Sequence, residues 1–169
     1  MTKFKYAILF VLLVLLQVTF LSNINLGGYI NPFLYIYFIL VLPLHTSRLQ
    51  LLLLAAALGL SIDIFLNTLG LHTFATVFVA YFRNGFISRT IPKDEVETLN
   101  RLTLYETGFW TYLKYAGSLT AVHHFLLYLL ETFRLQGIFN VVRNTFYSTL
   151  FTLFLILLIQ FLFVEKTKK

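Results

Sequence analysis

The amino-acid sequence predicts an all-α, polytopic membrane protein with six transmembrane helices. Of its 169 residues, 59% are hydrophobic and only 12% are charged, whereas soluble globular chains carry about 25% charged residues. A soluble fold of this size has too little interior for so much apolar surface, so lipid is the expected solvent. Helices are the expected spanning elements because each one satisfies its own backbone hydrogen bonds. We predict that residues 1–169 form a single transmembrane domain.

Apolar runs close to the length that crosses a bilayer, about 17–25 residues, place these six helices. Their predicted bounds are 6–22, 29–44, 49–66, 71–88, 115–133 and 145–164. The first run follows two lysines, as in a signal peptide, but no A-x-A cleavage signal follows it, so we interpret it as a retained helix. In the second helix, Pro32 suits the first turn and Pro43 a late kink.

The distribution of basic residues predicts that both termini are cytoplasmic. If six helices cross the membrane from a cytoplasmic N-terminus, only Arg134 and Arg143 of the 13 Lys and Arg residues fall on the external side. The cytoplasmic side receives Lys3, Lys5, Arg48, Arg83, Arg89, Lys93, Arg101, Lys114, Lys166, Lys168 and Lys169. The net charge of +6 is therefore explained by topology. We expect contact with membrane lipid and none with nucleic acid.

The longest polar stretch is the predicted cytoplasmic loop 89–114. Pro92 suits the start of a short helix, and the aromatic residues that follow are typical of a membrane interface. Two interpretations stay open for this loop. It is an amphipathic segment on the inner membrane face, or it is a docking surface for a cytoplasmic partner.

An acidic residue inside a spanning helix is expected only where it has a structural or functional role, because its insertion costs about 2.5–3.5 kcal/mol at mid-bilayer. Asp63 lies about 21 Å along the third helix and Glu131 about 24 Å along the fifth, so both are expected near the outer side. Arg134 and Arg143 flank the last external loop. We predict a polar cluster of these four residues, beside the external turn Asn67 to Gly70. The alternative is that they are interfacial residues that snorkel to water.

His123 and His124 are predicted near the middle of the fifth helix, and His124 shares a face with Glu131. A His–Glu pair on one face suits metal binding or proton transfer. The alternative is a pair of neutral histidines bonded to a neighbouring helix. Zinc requires further ligands, for which only His72 or Asp63 across the bundle are candidates. We predict no metal and no cofactor.

Small residues on the third helix predict close packing. Ala55 and Gly59 form a small-xxx-small pair, which lets two helix backbones approach closely, and Asp63 continues the same ridge. The sequence has no nucleophile–base set, phosphate loop, redox motif or HExxH. We therefore predict that the protein is not an enzyme.

Two stretches resemble a known family. Residues 59–72 read GLSIDIFLNTLGLH, and residues 123–131 read HHFLLYLLE. The first resembles the MreD family of rod shape-determining proteins, in which a Gly-x-x-x-Asp helix runs into a Leu-Gly turn. The second is similar to the HHxxLxxxE-like helix of that family. By this resemblance, Asp63, Gly70 and Glu131 are the positions expected to matter most.

The resemblance implies a multi-pass component of the bacterial inner (cytoplasmic) membrane. Such a protein is a non-enzymatic scaffold of the cell-wall elongation complex, the elongasome, which supports peptidoglycan synthesis and cell shape. It binds the bitopic protein MreC and, through it, MreB filaments, a SEDS glycosyltransferase and a class B transpeptidase. Its fold is similar to that of the substrate-binding subunits of energy-coupling factor transporters.

Two other functions remain open from the sequence. The first is a solute-binding transporter subunit for a vitamin-like molecule. Such subunits typically dock through an Ala-xxx-Ala strip on the first helix, where this chain has only Ala7. The second is an intramembrane enzyme that uses His123, His124 and Glu131.

Overall fold

The computed structural model describes residues 3–24, 27, 29–92, 95–96, 99, 101–132 and 137–164. Over these residues the chain is mainly helical and has no β-strand. The α-helices with described bounds are α1 (Lys3–Thr19), α2 (Tyr37–Val41), α3 (Arg48–Leu66), α4 (Leu71–Thr90), α5 (Leu104–Thr107), α6 (Phe109–Thr132) and α7 (Ile138–Phe163). Short 3₁₀ helices cover Leu21–Asn23 and Leu34–Ile36.

Three helical stretches are long and apolar enough to cross a membrane. Among the described residues these are Phe4–Asn23, Arg48–Leu66 and Ile138–Phe163, with mean hydropathies of 2.3, 2.2 and 2.2. Large apolar side chains on them face outward; Leu12, Ile64 and Phe154 are each exposed. Because water solvates such a surface poorly, these helices indicate a membrane protein.

α4 and α6 match the thickness of a membrane but are less apolar. With 20 and 24 residues, they are about 30 and 36 Å long, close to the hydrocarbon thickness of about 30 Å. Their polar residues point into the protein: Thr76, Arg83, His123 and His124 are all fully buried. α4 packs between α3 and α6, and α6 packs in turn against α7.

The predicted second helix is the main difference between expectation and structure. Instead of a helix over 29–44, the chain forms helical turns only over 34–41, which is about 13 Å long. Pro32 precedes these turns, and Pro43 lies beyond their end. We call residues 29–43 the central segment, because every residue from 32 to 42 is buried.

The hydrophobic core surrounds this central segment. The surrounding helices contribute large apolar side chains that are at most 2% exposed. They include Leu13 of α1, Leu58 of α3, Leu119 of α6 and Ile156 of α7. A segment with only two short helical turns therefore lies among the most buried residues of the protein, which raises the question of what satisfies its backbone.

The predicted loop 89–114 is shorter in the structure, because α6 begins at Phe109. α5 lies just before it, where the Thr103 hydroxyl accepts a hydrogen bond from the Glu106 backbone N–H at 3.3 Å. Near the start of the loop, the Pro92 carbonyl accepts a hydrogen bond from the Val96 backbone N–H at 3.1 Å. These two hydrogen bonds lie at opposite ends of the shortened loop.

Candidate functional site

Hydroxyl groups of α7 satisfy the first part of the central segment. Asn31 donates its backbone N–H to the Ser148 hydroxyl at 3.0 Å, and Phe33 donates its backbone N–H to the Thr152 hydroxyl at 3.3 Å. Both hydroxyl residues are buried. Non-helical backbone at membrane depth is tolerated only where protein or a water-filled cavity satisfies it. The two α7 hydroxyls therefore permit the extended start of the segment.

Two buried glutamines extend this arrangement to other elements. Gln17 of α1 donates its side-chain amide to the Pro32 carbonyl at 3.0 Å. Gln160 of α7 donates to the Tyr37 hydroxyl at 2.9 Å and accepts from the Leu104 backbone N–H at 3.1 Å. Neither glutamine is exposed. Each one fixes a neighbouring element to its own helix.

Arg83 of α4 satisfies the other end of the central segment. Its guanidinium donates to the carbonyls of Leu42 and Pro43 and, through Nε, to the Tyr115 hydroxyl at 2.9 Å. Tyr115 in turn donates to the Leu40 carbonyl at 3.1 Å. The three carbonyls lie at or just beyond the C-terminal end of α2. Carbonyl groups there lack intrahelical partners, and a nearby positive charge is favourable.

The position of Arg83 corrects the charge count made from the sequence. The sequence pattern places Arg83 with the cytoplasmic residues, but its side chain is fully buried. Every donor bond found for it goes to a carbonyl or a phenol. The signal for this role was its place inside the predicted helix 71–88, where a base is unexpected.

Tyr35 links two histidines in the middle of the bundle. Its hydroxyl lies 2.7 Å from Nδ1 of His72 on α4 and 2.9 Å from Nε2 of His123 on α6. All three side chains are at most 1% exposed. Because a phenol has one proton, it donates to one neutral histidine and accepts from the other. The chain thus joins α4, the central segment and α6.

The remaining nitrogen of His123 fixes the direction of these bonds. His123 Nδ1 is buried without a hydrogen-bond partner in the described structure. A bare lone pair is tolerated better than an unpaired N–H, so we assign the proton of His123 to Nε2. His123 then donates to the Tyr35 oxygen, and Tyr35 donates to His72.

His124 belongs to a second directional chain. Its Nδ1 lies 2.8 Å from the Thr120 carbonyl, which only accepts, so Nδ1 carries the proton. Its Nε2 then accepts from the Thr152 hydroxyl at 3.1 Å. Thr152 itself accepts from the Phe33 backbone N–H. His123 and His124 are thus both hydrogen-bonded to neighbouring elements. Within the described ranges, no group of three or more His, Cys, Asp or Glu is suited to a metal ion.

Asp63 caps the helix that follows its own. Its Oδ1 accepts from the His72 backbone N–H at 3.1 Å and from the Thr68 hydroxyl, and its Oδ2 accepts from the backbone N–H and hydroxyl of Thr73 at 2.9 and 2.6 Å. The first N–H groups of a helix lack partners and favour a negative charge. The carboxylate is therefore the N-terminal cap of α4.

The turn between α3 and α4 brings Asp63 to this position. Asn67 has a left-handed φ of 54° and Gly70 a φ of 81°. Gly70 precedes α4 as its N-cap residue but has no side chain to cap it. The carboxylate on the last turn of α3 supplies the missing acceptor. We call residues 59–76 the α3–α4 hairpin.

Close contact between the two helices of this hairpin depends on small residues. A Cβ placed on Gly59 would lie 2.4 Å from the Cα atom of Thr73. The Thr76 hydroxyl lies 3.0 Å from the Ala55 carbonyl and 2.9 Å from the His72 carbonyl. The predicted Ala55 and Gly59 ridge faces α4 in this way.

The structure does not bring the predicted outer cluster together through Asp63. Its carboxylate is only 4% exposed and is satisfied by donors from the hairpin, so it needs no arginine. Glu131 and Arg143 are exposed, and the Arg143 guanidinium lies 4.9 Å from the centre of the Tyr29 ring. Arg134 lies outside the described residues, so its pairing with Glu131 stays a prediction.

We expect Tyr35→Phe to destabilise the protein by about 1–3 kcal/mol, because it leaves two buried histidine nitrogens without their shared partner. Thermal unfolding of the purified protein in detergent measures this loss. Tyr147→Phe is the matched control: Tyr147 is exposed, so its variant should stay within about 0.5 kcal/mol of the parent. Equal melting temperatures for the two variants would contradict the role of Tyr35.

Comparisons of the chain with protein-family models, curated proteins and solved structures find no match.

Proposed function

We propose that this protein is a non-enzymatic scaffold of the bacterial inner membrane that belongs to the cell-wall elongation complex. In this proposal it binds a bitopic MreC-like protein and, through it, MreB, a SEDS glycosyltransferase and a class B transpeptidase. The observation that carries the proposal is the role of the two stretches that resemble the MreD family. Residues 59–72 form most of the capped hairpin, and His123 and His124 bind the central segment and α7.

These contacts favour a structural role for the polar interior. Asp63 fixes α4 to α3, and Arg83 fixes α4 to the central segment. Buried side chains that are hydrogen-bonded as Asp63 and Arg83 are rigidify a core. A rigid frame presents the same outer surface at all times, which suits a protein that assembles other proteins.

The proposal includes six membrane crossings, made by α1, the central segment, α3, α4, α6 and α7. The contacts of the central segment with α7 support this count. Later residues of the central segment bind later residues of α7: Asn31 binds Ser148, and Tyr37 binds Gln160. Ser148 and Gln160 are about 18 Å apart along α7. The two elements therefore run in the same direction, as the second and sixth crossings of such a protein must.

Charge also supports this topology. With Arg83 assigned to the interior, the basic residues outside it still concentrate on the proposed cytoplasmic side. The exceptions are Arg134 and Arg143. Cytoplasmic loops of membrane proteins carry such an excess of Lys and Arg. Both termini are therefore cytoplasmic in the proposal.

Depletion of the protein in its own bacterium tests the proposal. We expect cells to lose their rod shape and to stop incorporating fluorescent D-amino acids along the lateral wall. The protein, purified from native membranes in mild detergent, should bring down the MreC-like partner. Normal shape and lateral incorporation after depletion would overturn the proposal, as would purification without that partner.

A variant that should fold normally serves as the control in this experiment. Complementation with Gly85→Ala should restore the rod shape, since a Cβ at Gly85 meets no atom within 4 Å.

A thermal-shift screen of vitamins on the purified protein addresses the transporter alternative. A shift specific to one vitamin would favour the solute-binding function instead.

A further inference from the structure

An apolar groove follows the seam between α3 and α4 on the outside of the bundle. It has a volume of about 550 Å³. Side chains of both helices line it, among them Leu52 and Leu60 of α3 and Phe74, Val77, Phe78 and Tyr81 of α4. From Arg48, at the start of α3, to Leu60 is about 18 Å along the helix axis. That distance is slightly more than half of the hydrocarbon thickness of about 30 Å.

A cleft of about 220 Å³, with polar side chains at one end, adjoins this groove toward the start of α3. Leu52 and Tyr81 line both spaces. Arg48 and Asn84 line the cleft only, together with Gly85. A Cβ on Gly85 would meet no atom within 4 Å, so the cleft is open at that point. One continuous depression therefore has a basic, polar end and an apolar length.

We propose that this depression binds one anionic phospholipid, with its phosphate beside Arg48 and an acyl chain in the groove. Arg48 is exposed, and within the described ranges no residue accepts a hydrogen bond from its guanidinium. The guanidinium fork matches the geometry of a phosphate oxygen pair. Asn84 and Tyr81 supply an amide and a phenol for the rest of the head group.

Charge distinguishes this seam from a second apolar groove of the protein. A larger groove of about 700 Å³ runs along α1, but none of its lining residues is charged. Basic pockets between transmembrane helices on the cytoplasmic side are typical binding sites for anionic head groups. The start of α3 lies on that side in the proposed topology. The lipid site does not depend on a role in the elongation complex.

Native mass spectrometry of the full chain in detergent tests the proposal. The probes are dioleoyl phosphatidylglycerol, which is anionic, and dioleoyl phosphatidylcholine, which has no net charge. We expect preferential binding of one phosphatidylglycerol molecule. Arg48→Gln should weaken this binding about five-fold, which is the usual effect of one basic residue near an anionic lipid surface. Gly85→Leu should weaken it as well by filling the cleft.

Three controls distinguish a specific lipid site from general charge effects, misfolding and binding of the head group alone. Lys114→Gln removes one exposed positive charge from α6, away from the cleft, and should bind phosphatidylglycerol like the parent. Melting temperatures without lipid identify any variant that fails to fold. Free glycerol 3-phosphate in large excess should not displace the lipid. Equal binding of the two lipids, equal loss in Arg48→Gln and Lys114→Gln, or displacement by glycerol 3-phosphate would overturn the proposal.

Discussion

Asp63→Ala will lower the free energy of unfolding by about 3 kcal/mol or more. The substitution removes one carboxylate that accepts from two backbone N–H groups and two hydroxyls at the start of α4. A hydrogen bond to a charged group contributes about 1.5–3 kcal/mol, and loss of an N-cap costs about 0.5–2 kcal/mol. At about 2–4 °C per kcal/mol for a chain of this size, the melting temperature in detergent should fall by about 6–12 °C.

Two further variants identify the cause of this loss. Asp63→Asn keeps one acceptor oxygen, so it should lie between the parent and Asp63→Ala. Glu131→Gln removes the charge of an exposed acid, and its melting temperature should match that of the parent. If the Asp63 and Glu131 variants lost stability equally, an ionic cluster on the outer side would explain the data better than a helix cap.

Gly59→Ala and Gly85→Ala will have opposite effects on stability. At Gly59 the added Cβ would lie 2.4 Å from a backbone carbon of Thr73, so α3 and α4 have to move apart. Overpacking of this kind costs about 1–3 kcal/mol. At Gly85 the same Cβ enters open space, and alanine is favoured over glycine in a helix by about 0.5–1 kcal/mol.

Thermal unfolding in the same detergent measures both variants under identical conditions. The pair is informative because the substitution and the secondary structure are the same, and only the surroundings of the Cβ differ. Similar melting temperatures for the two variants would show that the helices of the hairpin are not in close contact.

The sequence predicted α3 and α4 well because their signals are local, whereas α6 and α7 begin six and seven residues before their predicted starts. An apolar run and the turn sequence after Leu66 both lie within or beside the element that they define. The observed α3 covers residues 48–66 and α4 covers 71–90, against predicted spans of 49–66 and 71–88. Apolar length and turn residues alone were sufficient for these bounds.

The central segment was not predictable in the same way. Its residues are as apolar as those of a spanning helix, and hydropathy does not report which distant side chains are available to the backbone. The hydroxyls of Ser148 and Thr152 lie 117 and 119 residues away from their partners Asn31 and Phe33. Propensity favoured a helix over 29–44, and tertiary hydrogen bonds favoured the observed path.

The sequence singled out Asp63, His123 and His124, but it identified neither their partners nor Tyr35 and Arg83. Depth along a helix correctly singled out Asp63 as an acid that needs a reason. Position along the helix axis does not show which way a side chain points. The Asp63 carboxylate was therefore paired with distant arginines instead of the backbone N–H groups of α4. Arg83 was missed because a basic residue late in a predicted span is usually interpreted as a topology signal.

The distant partners of the central segment impose an order on the biogenesis of the protein. Asn31 and Phe33 leave the ribosome well before Ser148 and Thr152, and at about 5–20 residues per second the interval is about 6–23 s. During that time the backbone of the segment has no α7 to bind, and each unsatisfied group in lipid costs several kcal/mol. In the proposed six-crossing topology, the central segment therefore reaches its final hydrogen-bonded path only when the last helix arrives, and translation past residue 152 becomes a condition for assembly.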